Sequence, residues 1–403
     1  MDVLFIVKEF PHSRVIGGPI IIYNRVKYLS EKHTVSVLAF GEEPTPEQRA
    51  SVSRYCLDLQ LVPFVPARHG VLQRVRDLMI APVPPYFMNC YSKEMYGALG
   101  GMVQRHHYDV VVSEYSMVAQ YLYHNPDLVG VKRVMSVHEC YYLARKKVFE
   151  MEGCSREGLL ALYNLEGLRR FEFDMYADAD RVLTLTQEGR GELLGIRPDL
   201  DVSVVPHGVD VEHFKPGDRG EGPLTVMFLG NYPHDPNRDA VIFYGTQAWP
   251  EVRKRVPGAR FLVVGRGPTE DMRELAARDG SIEITGQVED VLPYLAMSDV
   301  FVCPVRLGGG FRGKVLEAMA AGVPVVSTRL GAEGLPAKDG ENILLAETPH
   351  QLADATVRML TDREQAGRIS ARARELVVTD YSWRRGVEIL ERVLGEVVGD
   401  ASR

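Results

Sequence analysis

Short apolar runs recur along the chain at spacings that leave room for a helix between them. In the first half, Val3–Val7, Val35–Ala39, Val110–Ser113, Arg133–Val137 and Val182–Thr186 read as strands. Nearly unbroken Val/Ile/Leu runs of this length suit strands covered on both faces. Helices are expected between them at about Ile20–Ser30, Leu72–Met79, Lys93–Arg105 and Leu159–Ala177. After a strand at Val202–Val205 the rhythm stops. Proline, glycine and charge cluster over about 206–221, where a linker is predicted. The rhythm then restarts with strands at Leu224–Leu229, Arg260–Val264, Ile282–Thr285, Val300–Cys303 and Val323–Ser327. Helices fit at Arg238–Lys254, Thr269–Ala277, Val288–Ala296, Lys314–Ala321 and His350–Asp362, and long helices interrupted near Tyr381 follow. Alternation of this kind predicts an α/β protein with parallel sheets and helices on both faces. The 403 residues favour two domains. They are expected at 1–205 and 222–385, facing each other across a cleft, with a further helix at 386–403.

Candidate chemistry concentrates between Val300 and Gly334. A strand runs into a turn holding Gly308, Gly309, Gly310 and Gly313, and a helix follows. Arg306, Arg312 and Lys314 surround the glycines, and Glu317 lies in the first turns of the helix. Bare backbone, a helix start and cations together suit a phosphorylated ligand. A carboxylate one turn inside suits a ribose diol, from which it accepts two hydrogen bonds. Gly17 and Gly18 separate the first strand from the first helix, where doubly wound sheets bind ligands. Residues 308–314 also fit the phosphate-loop spacing GxxxxGK. Val315 there replaces the Ser/Thr that would hold Mg²⁺, and no strand ending in a suitable aspartate follows.

Charge and cysteine content narrow the picture. The net charge of −7 argues against nucleic acid as a partner. Cys56, Cys90, Cys140, Cys154 and Cys303 are scattered without CxxC spacing, so reduced thiols are expected and a zinc site is not. No acidic pair stands in a loop suited to a divalent metal. Asp178-Ala179-Asp180 ends a helix, and metal-independent chemistry without a cofactor is expected. The apolar N-terminal run is too short for a signal peptide, and no run approaches the roughly 20 residues of a membrane span. A cytoplasmic location is expected. Residues 51–150 carry 11 cations against 8 acids. Within them, Ala67–Ile80 has an apolar side and an arginine side; peripheral contact with an anionic membrane and a core-facing helix are both open readings. Arg145-Lys146-Lys147 is read as a solvated helix face or as a binder of acceptor or lipid phosphate.

Several motifs together resemble the retaining, nucleotide-sugar-dependent glycosyltransferases of group 1, family 4. They are Phe228-Leu229-Gly230, Val263-Val264-Gly265-Arg266-Gly267-Pro268, Gly286-Gln287-Val288, Lys314-Val315-Leu316-Glu317-Ala318-Met319-Ala320 and Gly322-Val323-Pro324-Val325-Val326. The resemblance covers 202–385 closely and the first half loosely. It implies two Rossmann-like domains in the GT-B arrangement, the first binding acceptor and the second donor, with the last helix returning to the first domain. It implies transfer of a hexose or N-acetylhexosamine from a nucleotide sugar to a hydroxyl of a glycan, a lipid-linked glycan or a small molecule. UDP-glucose, UDP-GlcNAc, UDP-galactose and GDP-mannose are all open as donors, and a UDP-sugar is the expectation. Carried onto this sequence, the catalytic residues are His138, Arg306 and Lys314. The donor contacts are Gly17, Gly18, Gly265, Arg266, Val288, Gly309, Gly310, Phe311, Arg312 and Glu317.

The chain departs from the family pattern at named places. Gly309 stands where a first glutamate is usual, Asn231 and Pro236 stand near the usual Arg and Lys, and His207 replaces an asparagine. A nucleotide-sugar epimerase of the same fold, a non-catalytic homologue and a phosphate-loop NTPase are the rival readings.

Overall fold

The computed structural model describes the chain except residues 14–17, 65–82, 154, 163–164, 309–310 and 400–403. Gly17, Gly309, Gly310, Cys154, the expected helix Leu72–Met79 and the amphipathic stretch Ala67–Ile80 therefore lie outside the described residues. The chain forms two units, Met1–Pro206 joined by the C-terminal residues from Val387, and His207–Gly386.

The first unit is built on a parallel sheet of β1 (Asp2–Val7), β2 (Thr34–Phe40), β3 (Leu59–Val62), β4 (Val110–Glu114), β5 (Lys132–Val137), β6 (Arg181–Thr184) and β7 (Val202–Val204). The strand order is β3-β2-β1-β4-β5-β6-β7. Alternate side chains of a strand face opposite layers. Val3, Phe5 and Val7 therefore meet Ile22, Val26 and Leu29 of helix α1 (Gly18–Leu29), while Leu4 and Ile6 join Phe87, Leu99 and Met102 on the other side. The first layer also receives Val387, Leu390, Val393 and Leu394, a helical stripe from the end of the chain. Helix α2 (Tyr141–Glu152) follows β5.

The second unit repeats the plan with β8 (Thr225–Leu229), β9 (Arg260–Val264), β10 (Ile282–Gly286), β11 (Val300–Cys303), β12 (Val325–Ser327) and β13 (Leu344–Leu345), ordered β10-β9-β8-β11-β12-β13. All described pairings in both sheets are parallel. In each sheet the order reverses beside the first strand, at β1/β4 and at β8/β11. These switch points leave a crevice at the carboxyl ends of the strands. Helix α3 (Asp235–Phe243) leaves β8, helix α4 (Gly313–Ala320) leaves β11, and helix α5 (Trp383–Val398) carries the chain back to the first unit.

The structure modifies several expectations. The stretch His207–Gly217, read as linker, belongs to the second unit, where Val209 N donates to Tyr381 O at 2.8 Å. The single helix expected over Arg238–Lys254 is α3, a π-turn at Tyr244–Ala248 and a helix Trp249–Arg255. Pro250 has no N–H for the α-helical bond, and the widened turn falls just before it. The expected helix Leu159–Ala177 is two, Arg156–Leu162 and Leu165–Ala177. β3 and β13 went unread because short segments give little signal.

Candidate functional site

The second unit places its loops by backbone packing at the β8/β11 switch point. Gly230 N donates to Val264 O at 3.0 Å, Tyr232 N donates to Arg266 O at 3.0 Å, and the buried Tyr232 hydroxyl donates to Val264 O at 2.7 Å. The turns after β8 and β9 are thus zipped together. Gly265 has φ +136°, and a Cβ there would stand 1.9 Å from the Gly230 carbonyl oxygen. Gly265→Ala is expected to cost at least about 1–3 kcal/mol, since both the left-handed backbone and a main-chain neighbour oppose it. A thermal melt showing an unchanged Tm would contradict this reading. Gly265 thus serves loop packing. Arg266 is exposed, 3.4 Å from Asn231 Oδ1, and Val288 packs against the core.

Helix α4 buries Val315, Leu316, Ala318, Met319 and Ala320. Lys314 and Glu317, three apart, are left on its other side. Lys314 Nζ donates to Asn237 Oδ1 at 2.6 Å and lies 4.4 Å from the Phe228 ring centre. Asn237 in turn donates to Asn231 O at 2.9 Å, so one side chain of α3 holds both the lysine and the loop after β8. Burial pulls the Lys314 ammonium down to about 8; Arg312 adds to this, while Cys303 and Glu317 oppose it. Burial pushes the Glu317 carboxyl up to about 7, against the pull of Lys314. No side chain caps the start of α4. Glu317 has no partner among the described residues, and Nε and Nη2 of Arg312 are shielded from solvent without one. Orphaned donors on a guanidinium are costly unless an anion meets them.

Two of the predicted contacts are engaged elsewhere. Arg306, expected at the diphosphate, binds Asp239 through Nε and Nη2 at 2.7 and 2.8 Å and lies over Phe243 at 4.3 Å. It ties the loop after β11 to α3. Phe311, expected at the donor, stacks on His207 at 5.0 Å and on Tyr381 at 6.4 Å. His207 also packs on Trp383 at 5.0 Å and faces Gly313, whose absent Cβ would stand 3.5 Å from it. Gly308, with φ +74°, packs against Pro236 at the start of α3.

The first unit builds a second polar cluster at its own switch point. Glu114, the last residue of β4, is fully buried. Arg25 Nη1 of α1 donates to its two oxygens at 2.6 and 2.8 Å and to Ser136 Oγ at 2.9 Å. His138, just past β5, places Nε2 at 2.7 Å from Glu114 Oε2. Burial alone would raise the Glu114 carboxyl, but Arg25 and His138 outweigh it and hold it at about 2. Tyr115 stacks on the His138 ring at 4.2 Å with φ +83°, a backbone that non-glycine residues rarely adopt. Its hydroxyl occupies the place a Cβ on Gly18 would take, 1.6 Å away. Gly18, predicted as a donor contact, is glycine because Tyr115 passes there. The turn after His138 is pinned by Glu172, which accepts from the backbone N–H groups of Tyr141 and Tyr142 at 3.0 and 2.8 Å.

Sequence reading missed Asn237, Asp239, Arg25, Glu114 and Tyr115. Only Glu114 carried a signal, a charge closing an otherwise buried strand. On α2, Lys147 pairs with Glu192 at 2.9 Å and Lys146 with Glu150 at 3.6 Å.

A family described as "Glycosyl transferases group 1" matches residues 223–362, and one described as "Glycosyltransferase Family 4" matches residues 16–213. The chain is 32% identical over 210 residues to a GDP-mannose-dependent alpha-(1-6)-phosphatidylinositol monomannoside mannosyltransferase of Mycobacterium tuberculosis, covering 46% of this chain and 54% of that protein. It is 30% identical over 257 residues to a phosphatidyl-myo-inositol mannosyltransferase of the same species, covering 60% of this chain and 66% of that one. The match thus spans from about half to just under two thirds of these relatives' length. Among solved structures, a sucrose-phosphate synthase from Thermosynechococcus elongatus aligns over 100% of both chains with a TM-score of 0.74 at 16% identity, a likeness of fold.

Proposed function

Because the chain belongs to the family 4, group 1 glycosyltransferases, we propose that it moves a hexose from a nucleoside diphosphate sugar to an acceptor hydroxyl. The observation that carries this reading is the first turn of α4. Among the described residues, two guanidinium nitrogens of Arg312 have no partner, Lys314 is a half-buried cation, and Glu317, three residues on, is a carboxylate without a partner. In this reading Arg312, Lys314 and the helix-start amides take the diphosphate, and Glu317 takes the ribose diol. Breaking the sugar–phosphate bond leaves negative charge on the diphosphate, and fixed cations there lower the barrier. Arg306 contributes by bracing the loop through Asp239.

The reaction is proposed to be retaining and independent of metal, with side-chain cations neutralising the leaving group. The dependence named for the mycobacterial relative makes GDP-mannose the first donor to test, ahead of the UDP-sugars. The test is acceptor-dependent release of nucleoside diphosphate in EDTA, across GDP-mannose and UDP-sugars. Release with one of them supports the reading. Hydrolysis of ATP with Mg²⁺ and of no nucleotide sugar would favour the phosphate-loop rival.

The pH profile follows from the two shifted groups. Glu317 must be ionised to accept from ribose, and Lys314 must be protonated to meet phosphate. In the free enzyme, kcat/KM for the donor should rise through about 7 and fall through about 8, a narrow bell belonging to the pair. Glu317→Gln should remove the acid limb. A profile flat from 6 to 9 in the wild type would contradict the assignment.

A further inference from the structure

Three elements of the first unit converge on one imidazole. β4 ends on Glu114 and the next residue is the strained Tyr115, α1 supplies Arg25 and the glycine that admits Tyr115, and the residue just past β5 is His138 itself. An ionised carboxylate only accepts hydrogen bonds. Glu114 is bound at both oxygens by Arg25, so it is ionised, and the hydrogen between it and His138 sits on Nε2. Arg25 balances the carboxylate charge. Nδ1 has no partner among the described residues.

We propose that Glu114, charge-balanced by Arg25, is a positioning residue that fixes His138 in the Nε2–H tautomer, so that Nδ1 presents a lone pair to a substrate hydroxyl. His138 is then a hydrogen-bond acceptor toward sugar and cannot act as a donor there. The identity of the hydroxyl rests on the glycosyl-transfer reading; the tautomer does not. The hydroxyl belongs to the donor sugar or to the acceptor, and kinetics separates the two.

The test begins with ring ¹⁵N spectra of the histidine-labelled full chain at neutral pH without substrate, with His138 identified by the resonances lost in His138→Gln. A protonated Nε2 and a bare Nδ1 are expected. Arg25→Met with Glu114→Gln removes both charges together, so neither is left buried alone. A glutamine both accepts and donates, so this variant should populate both tautomers. A wild-type ring carrying hydrogen on Nδ1, or a spectrum unchanged in the double variant, would overturn the proposal. With a donor the wild type turns over, the double variant should lose about 10–100-fold in kcat with little change in donor KM. Loss in transfer but not in donor hydrolysis assigns Nδ1 to the acceptor hydroxyl, and loss in both assigns it to the donor sugar. Undiminished kcat in both refutes the role. Failure of the wild type to use any nucleotide sugar removes the glycosyl-transfer reading, and the hydroxyl assignment with it, while the spectra still decide the tautomer.

Discussion

Lys314→Met is expected to lower kcat/KM for the donor by about 10²–10³, and kcat with it. The substitution keeps the apolar stem that lies against Phe228 and removes only the charge. Because the charge on the leaving diphosphate develops in the transition state, the loss belongs in kcat rather than in KM alone. The same variant should be more stable than the wild type without ligand. The Lys314 ammonium is pulled below its ordinary value by burial, so its charge opposes folding. That cost is fully present below about 8 and fades as pH rises from there toward the unfolded value. The gain in Tm should therefore be seen at pH 7 and shrink by pH 10. Steady-state kinetics and melts at the two pH values check both halves. A variant that loses activity and Tm together would show the lysine to be a structural residue.

Arg25→Met is expected to destabilise the first unit by about 3–5 kcal/mol, the usual result of leaving one member of a buried ion pair alone. In a fold of this size that is a fall in Tm on the order of 6–20 °C. Glu114 gives the effect a pH signature. In the wild type its carboxyl is held at about 2, below the ordinary value. Its stabilisation is complete above the ordinary carboxylate range and is lost as pH falls toward 2. Without Arg25, burial dominates and pushes the carboxyl up. The variant's deficit should therefore be largest at neutral pH and diminish on acidification. Adding Glu114→Gln should recover most of the loss at pH 7. Melts of the two variants between pH 4 and 8 check the sign, and a deficit that grows on acidification would contradict it.

The layers of both sheets could be read from apolar runs, because a strand covered on both faces leaves a continuous mark. β9, β11 and the helix Lys93–Arg105 fall where the periodicity puts them. The pairing of Lys314 with Glu317 could be read too, since residues three apart on a helix share a face. What could not be read are contacts between elements distant in sequence. Asn237 meets Lys314 across 77 residues, Asp239 meets Arg306 across 67, and Arg25 meets Glu114 across 89. No local pattern records such pairs. The surroundings of Phe311 were hidden for the same reason: His207 and Tyr381, from opposite ends of the second unit, cover its ring. Gly18 and Gly265 were expected as donor contacts, and their neighbours show room taken by Tyr115 and by the Gly230 backbone.

The central claim is that the first turn of α4 holds a nucleoside diphosphate sugar. The most direct test is the melting temperature of the wild type and of Lys314→Met with GDP, GDP-mannose, UDP and UDP-sugars in EDTA, and with ATP and Mg²⁺. At about 100 times its Kd a ligand adds roughly 2.7 kcal/mol, a shift of several degrees. The account predicts such a shift in EDTA with one nucleotide family, and its loss in the variant. A shift only with ATP and Mg²⁺, or an equal shift in Lys314→Met, would contradict it.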